Sequence, residues 1–116
     1  MNKQMRDEII AWGLTLPATC ADYPFDDPDK LVIRHQDNRK WFALFFYLQG
    51  ELCINVKAVP SQAAALCDVY EGITPGWHMN KRHWITIYTN RDVPYSEIQE
   101  LLKESYRLTC TKKKQK

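Results

Sequence analysis

The sequence lacks cysteine pairs at metal-binding spacing. Its four cysteines, Cys20, Cys53, Cys67 and Cys110, are scattered, with no CxxC among them. That argues against a zinc ribbon or finger and against a compact disulfide framework. A glycine-rich phosphate loop, a nucleophile elbow and an ordered Ser-His-Asp set are missing as well. With them go the sequence signatures of nucleotide hydrolysis and serine-type acyl transfer. No apolar run is long enough to span a bilayer, and the residues after Met1 enter a helical pattern with no apolar leader. The expectation is a cytoplasmic protein with reduced thiols, no cofactor, no bound metal and no membrane contact. A strong charge imbalance is also missing. Sixteen Lys and Arg stand against 14 Asp and Glu, for a formal net charge of +2. Lys112, Lys113, Lys114 and Lys116 lie in a terminal tail, so the body is neutral to slightly acidic. Any contact with nucleic acid would have to come from a local patch.

What is present fits one domain, residues 1–110, followed by a basic tail, 111–116, that has little to bury and is expected to be disordered. Met5, Ile9, Trp12 and Leu16 recur at three- and four-residue spacing, the apolar stripe of a helix over residues 3–16. Lys3, Arg6, Asp7 and Glu8 fall on its wet side, and Pro17 stops it. Residues 18–30 carry Pro24, Pro28 and four Asp and read as a loop, with Tyr23, Pro24 and Phe25 packing back on the core. Residues 31–35, 40–48 and 51–57 read as three strands joined by turns at 36–39 and 49–51, an antiparallel meander. In the second of these, Phe42, Leu44, Phe46 and Leu48 form the better core face, leaving Trp41, Ala43, Phe45 and Tyr47 opposite. In the third, Leu52, Ile54 and Val56 alternate with polar residues, as in a half-buried strand. Pro60 opens a helix with Ala63, Leu66, Cys67 and Tyr70 on its stripe. Gly72 closes it, the place where a left-handed residue is favoured. His83 to Tyr88 is a strand, and 90–92 a turn. Pro94 and Ser96 open a last helix with Ile98, Leu101, Leu102, Ser105 and Thr109 on one face. The implied fold is α+β. It is a two-layer sandwich of helix, three strands, helix, one or two strands and helix, with one face of an antiparallel sheet covered by helices.

The chemistry concentrates in residues 74–87, where two Trp, two His, Lys81 and Arg82 crowd into one run. Lys81 and Arg82 suit phosphate, and Trp77 or Trp84 suits stacking on an unpaired base. With His78 and Asn80 they form the candidate nucleic-acid-binding set, against the plain alternative of a core Trp beside a solvated turn. His78 and His83 are five apart and do not converge locally, and His35 is remote, so histidines in structural roles are the default and no metal is expected. Cys53 and Cys67 read as packing cysteines. Trp84 and Tyr88 share a strand face. If Trp41, Phe45 and Tyr47 lie on that face too, the sheet carries an aromatic interaction patch for a protein partner or a second copy. The alternative is that residues 18–30 fold over it.

The order of Tyr23-Pro24-Phe25-Asp26, Lys40-Trp41-Phe42-Ala43, Val56-Lys57-Ala58-Val59-Pro60, Pro75-Gly76-Trp77-His78-Met79-Asn80-Lys81-Arg82-His83-Trp84 and Ser105-Tyr106 resembles the MmcQ/YjbR family, over residues 9–108. The resemblance implies a fold like that of frataxin and secretion chaperones. It also implies DNA binding through a proposed double-wing arrangement, and brings no catalytic residues with it. The leading expectation is a non-enzymatic DNA-binding module. A protein-interaction adaptor or homodimer comes second, and a small-molecule-binding protein third.

Overall fold

The structure, a computed structural model, describes residues 2–111, with side chains from Gln4 onward. The lysines of the expected tail, from Lys112, lie outside the described residues. Among the described residues the elements run α1 (Asn2–Gly13), β1 (Thr19–Asp22), β2 (Leu31–His35), β3 (Trp41–Leu48), β4 (Glu51–Lys57), α2 (Pro60–Val69), β5 (Ile73–Pro75), β6 (Trp84–Tyr88) and α3 (Tyr95–Thr109). The strands form a six-stranded sheet in the order β1-β2-β3-β4-β6-β5, with every neighbouring pair antiparallel. The α+β class and the helix-covered sheet are as expected.

Local sequence explains much of this. The turn between β3 and β4 is a two-residue loop in which Gln49 (φ 50°) and Gly50 (φ 83°) are both left-handed, the backbone that matches strand twist in a tight hairpin. The last helix buries Ile98, Leu101, Leu102, Ser105 and Thr109, the residues its 3.6-residue period selects. It lies across β3 and β4, with α1 beside it, while α2 packs on β5 and β6. Leu52, Ile54 and Val56 all join this helix-side core and are fully buried.

Several expectations need correction. Residues 19–22 are a strand and not loop, because Thr19 to Asp22 pair with His35 to Val32. Four strands therefore precede α2, not three. Helix α1 ends at Gly13, three residues before the expected boundary, and turn hydrogen bonds carry the chain to Leu16. Arg6 is buried, not on the wet side. Its Nε and Nη2 have no hydrogen-bond partner, and the Asp7 carboxylate is 3.8 Å from Nη1. Gly72 is not left-handed. A Cβ there would come within 2.9 Å of Arg91 Cβ and 3.1 Å of Asp92 Oδ1, and Asp92 accepts hydrogen bonds from the N–H groups of Glu71 and Gly72. Close approach, not a capping conformation, selects glycine here.

The faces of β3 are the largest correction. Ile33 pairs with Ala43 but Arg34 pairs with Trp41, so Phe42 is an extra residue, a β-bulge. Phe42, Ala43, Phe45 and Tyr47 all belong to the helix side, whereas Leu44, Phe46 and Leu48 join Val32, Cys53, Trp41 and Tyr88 on the other side. Trp41 and Tyr88 are thus on the expected interaction face. Phe45 and Tyr47 are not, since one inserted residue reverses the parity of everything after it. The bulged Phe42 carbonyl is satisfied by α3, where Ser105 Oγ donates to it at 2.7 Å while accepting from the Lys57 N–H at 2.8 Å.

Candidate functional site

The face away from the helices is neither open nor flat. Strand β4 is buried on both sides, with Cys53 and Asn55 as inaccessible as Leu52 and Ile54. The cover comes from the turn between β5 and β6. Gly76 makes that turn possible by lying against Trp84, where a Cβ would sit 2.8 Å from Trp84 Cβ. Its N–H donates to the Trp84 carbonyl at 2.8 Å. From there the chain folds back over the sheet. The Trp77 N–H donates to Thr86 Oγ1 at 2.8 Å, Thr86 Oγ1 donates to Asn55 Oδ1, and Asn55 Nδ2 donates to the Trp77 carbonyl at 3.0 Å. This closed ring holds both main-chain groups of Trp77 in place. Its indole then stacks on Phe46, centroids 5.1 Å apart and planes at 18°.

The six expected nucleic-acid residues are close in sequence but not equivalent. Trp77 is 36% exposed, with Phe46 against one face and the His78 ring edge-on at 3.9 Å. His78 is exposed and left-handed, φ 58°, a backbone that costs a non-glycine residue roughly 1–2 kcal/mol. Asn80 folds the turn, since its Oδ1 accepts the Arg82 N–H at 2.9 Å. Lys81 is exposed, but its ammonium is engaged, with Nζ donating to the Gly76 carbonyl at 2.7 Å. Arg82 is exposed on the turn. Trp84 is half-buried in β6, opposite Lys57. Lys81 and Arg82 border a cleft of about 610 Å³ between α2 and β5–β6, beside Asp68 and Cys67.

A second cleft was not visible in the sequence. It holds about 380 Å³ and is lined by Phe25, Lys30, Trp41, Leu44, Phe46, Trp77, His78 and Met79. Four aromatic side chains reach it from three separate segments. Phe25 meets Trp41 edge-to-face at 5.8 Å, so residues 23–30 cover part of the face and leave the cleft between themselves and the turn. Lys30 Nζ sits 5.6 Å above the Phe25 ring. The face closes beyond Tyr88, where the Arg91 guanidinium lies 4.1 Å over the ring and is paired bidentately with Glu51. That pairing holds the Glu51 carboxyl below its usual range.

His35 is structural. It is buried between Phe42 and Tyr106, with Nε2 2.7 Å from Thr109 Oγ1. Thr109 Oγ1 also lies 2.8 Å from the Ser105 carbonyl, to which it donates. Burial lowers the His35 pKa, partly opposed by Asp37. Among the described residues no three His, Cys, Asp or Glu side chains gather as a metal site, and no helix is long and apolar enough to cross a membrane.

The chain is similar over nearly its whole length to known proteins. It is 36% identical over 115 residues to the Bacillus subtilis (strain 168) protein YyaQ, covering 90% of this chain and 97% of that one. It is 31% identical over 65 residues to Escherichia coli (strain K12) YjbR, covering 56% of this chain and 55% of the relative. A crystal structure of a Pseudomonas syringae protein superposes with a TM-score of 0.81 at 33% identity, covering 90% of this chain and 98% of that one. A crystal structure of a Deinococcus radiodurans protein of the DUF419 domain family gives 0.82 at 31% identity, covering 93% and 80%. The YjbR family model matches residues 14–108. The chain belongs to the YjbR family.

Proposed function

We propose that this protein is a non-enzymatic binding module, and that its site is the cleft between residues 23–30 and the β5–β6 turn. One observation carries the reading. Phe25, Trp41, Phe46 and Trp77 converge on a concavity of about 380 Å³, within the size range of small-molecule sites and lined as such sites are. The turn that forms one wall is fixed by the Asn55–Thr86 ring, so the cleft is largely preformed. That favours affinity by sparing ordering cost on binding. The test is a titration of the protein with indole, followed through the side-chain indole N–H signals in a nitrogen–proton correlation spectrum. Trp41 and Trp77 should shift and Trp12, packed in the helix-side core, should not. Unmoved Trp41 and Trp77 signals at millimolar indole would sink the proposal.

DNA binding is a second reading, and one observation favours it. Arg82 is an exposed cation beside Lys81 on the β5–β6 turn. Three other arginines are committed elsewhere, Arg34 on Asp22, Arg91 on Glu51 and Arg107 on Glu104. Arg82→Ala is the informative change, since Lys81 also holds the turn together. It should flatten the dependence of log affinity on log salt by about one unit for duplex DNA. A chain shortened at residue 111 separates this from non-specific attraction to the four tail lysines. If only the shortening matters, the turn is not a DNA site.

A further inference from the structure

The cleft's rim carries information that its walls do not. Aromatic faces by themselves attract cations, and a bare cage of Phe and Trp would suit an ammonium ligand. Here that position is already occupied, because Lys30 Nζ stands 5.6 Å over the Phe25 ring. The other polar side chain in the lining is the exposed imidazole of His78, and the lining residues include no carboxylate. His78 is held there at a backbone cost, φ 58°, with its ring 3.9 Å from that of Trp77. Strained residues of this kind concentrate where a side chain must be aimed.

Resting on the cleft reading above, we infer that the ligand is a small planar aromatic oxyanion. Its ring lies between Trp41 and the stacked pair of Phe46 and Trp77, and its carboxylate or phosphate meets Lys30 and His78 at the rim. Charge and shape agree on this. The apolar floor of Leu44 and Phe46 disfavours a charged group at depth, since a buried unpaired charge is expensive. The two donor-bearing groups sit where an anionic substituent remains near water. A cationic ligand of the same shape would meet the Lys30 ammonium as a like charge. The volume of about 380 Å³ admits one ring system with a short substituent and excludes duplex nucleic acid.

The test compares probes of one ring and three charges on the full chain, by the same spectral titration. Indole is neutral, indole-3-acetate anionic and tryptamine cationic. Adenosine and adenosine 5′-monophosphate repeat the comparison with phosphate. Indole-3-acetate or the monophosphate should bind more tightly than its neutral counterpart by up to about fivefold, the upper end for a partly exposed ion pair. Tryptamine should bind more weakly than indole. In Lys30→Gln the ratio of anionic to neutral probe affinity, measured within that variant, should collapse toward one. His78→Gly, which keeps the left-handed backbone, should reduce the preference in part. A preference confined to the carboxylate or to the phosphate pair identifies which oxyanion is used. If indole binds but neither anion gains, or if tryptamine binds best, the oxyanion inference is overturned while the cleft survives. If no probe binds, the cleft reading itself has failed.

Discussion

Asn55 on β4 and Thr86 on β6 are cross-strand partners, both fully buried, and together they satisfy both main-chain polar groups of Trp77. Two polar side chains in the middle of a sheet thus fix the turn that forms one wall of the cleft. Thr86→Val keeps the shape but strands the Asn55 carbonyl oxygen and the Trp77 N–H. The expected cost is about 1–3 kcal/mol in denaturant unfolding, the penalty for unsatisfied buried groups. Faster amide exchange at Trp77 should accompany it. A stability change within experimental error, with Trp77 still protected, would mean that the ring does not hold the turn.

Phe45 and Trp41 give opposite outcomes when truncated. Phe45 is fully buried among the helix-side residues, so Phe45→Ala should cost about 3–5 kcal/mol. Trp41 is half-buried at the cleft, so Trp41→Ala should cost much less and chiefly remove ligand binding. If urea midpoints ranked the two in reverse, the bulge at Phe42 would be misplaced.

Cys53 should be the last cysteine to react. It has no exposure, and burial pushes its thiol up to about 12, with Glu51 adding to the shift. The thiolate is the nucleophile, so little of it is present near neutrality. Cys20, Cys67 and Cys110 are partly exposed, although burial also raises Cys67. Timed maleimide labelling read by peptide mass should show Cys53 modified only on unfolding. Early labelling of Cys53 in the native state would contradict its position in the sheet.

His35 makes stability depend on pH in a defined direction. Burial lowers its folded pKa below the ordinary value of 6.5. Between the folded and unfolded pKa values the unfolded chain binds more protons, so stability falls as pH drops through 6.5 and is fully present above it. His35→Gln should flatten that part of the pH profile, measured as unfolding free energy from pH 7.5 down to 5 (a range chosen to bracket about 6.5). A wild-type profile with no slope there would exclude a buried neutral His35.

Local pattern alone determined the helices and the order of most strands. The stripe of α3 and the alternation of Leu52, Ile54 and Val56 report a period, and a period depends only on neighbours along the chain. Gln49-Gly50 likewise specified its own turn. The run from Trp41 to Leu48 is apolar on both parities, so no pattern within it could say which side faces the helices. The bulge at Phe42 decided that, and the bulge is held by Ser105, 63 residues away. Strand β1 was hidden because its four residues carry little apolar character and gain their structure by pairing with β2. The candidate site was half legible. Trp77, His78 and Trp41 stood out as chemistry-bearing residues, and Phe25 as a residue that packs back. Their convergence, the engagement of Lys81 by Gly76 and the part played by Lys30 were decided by the tertiary structure. Each depends on contacts between segments that meet only once Asn55 and Thr86 have drawn the β5–β6 turn down onto the sheet.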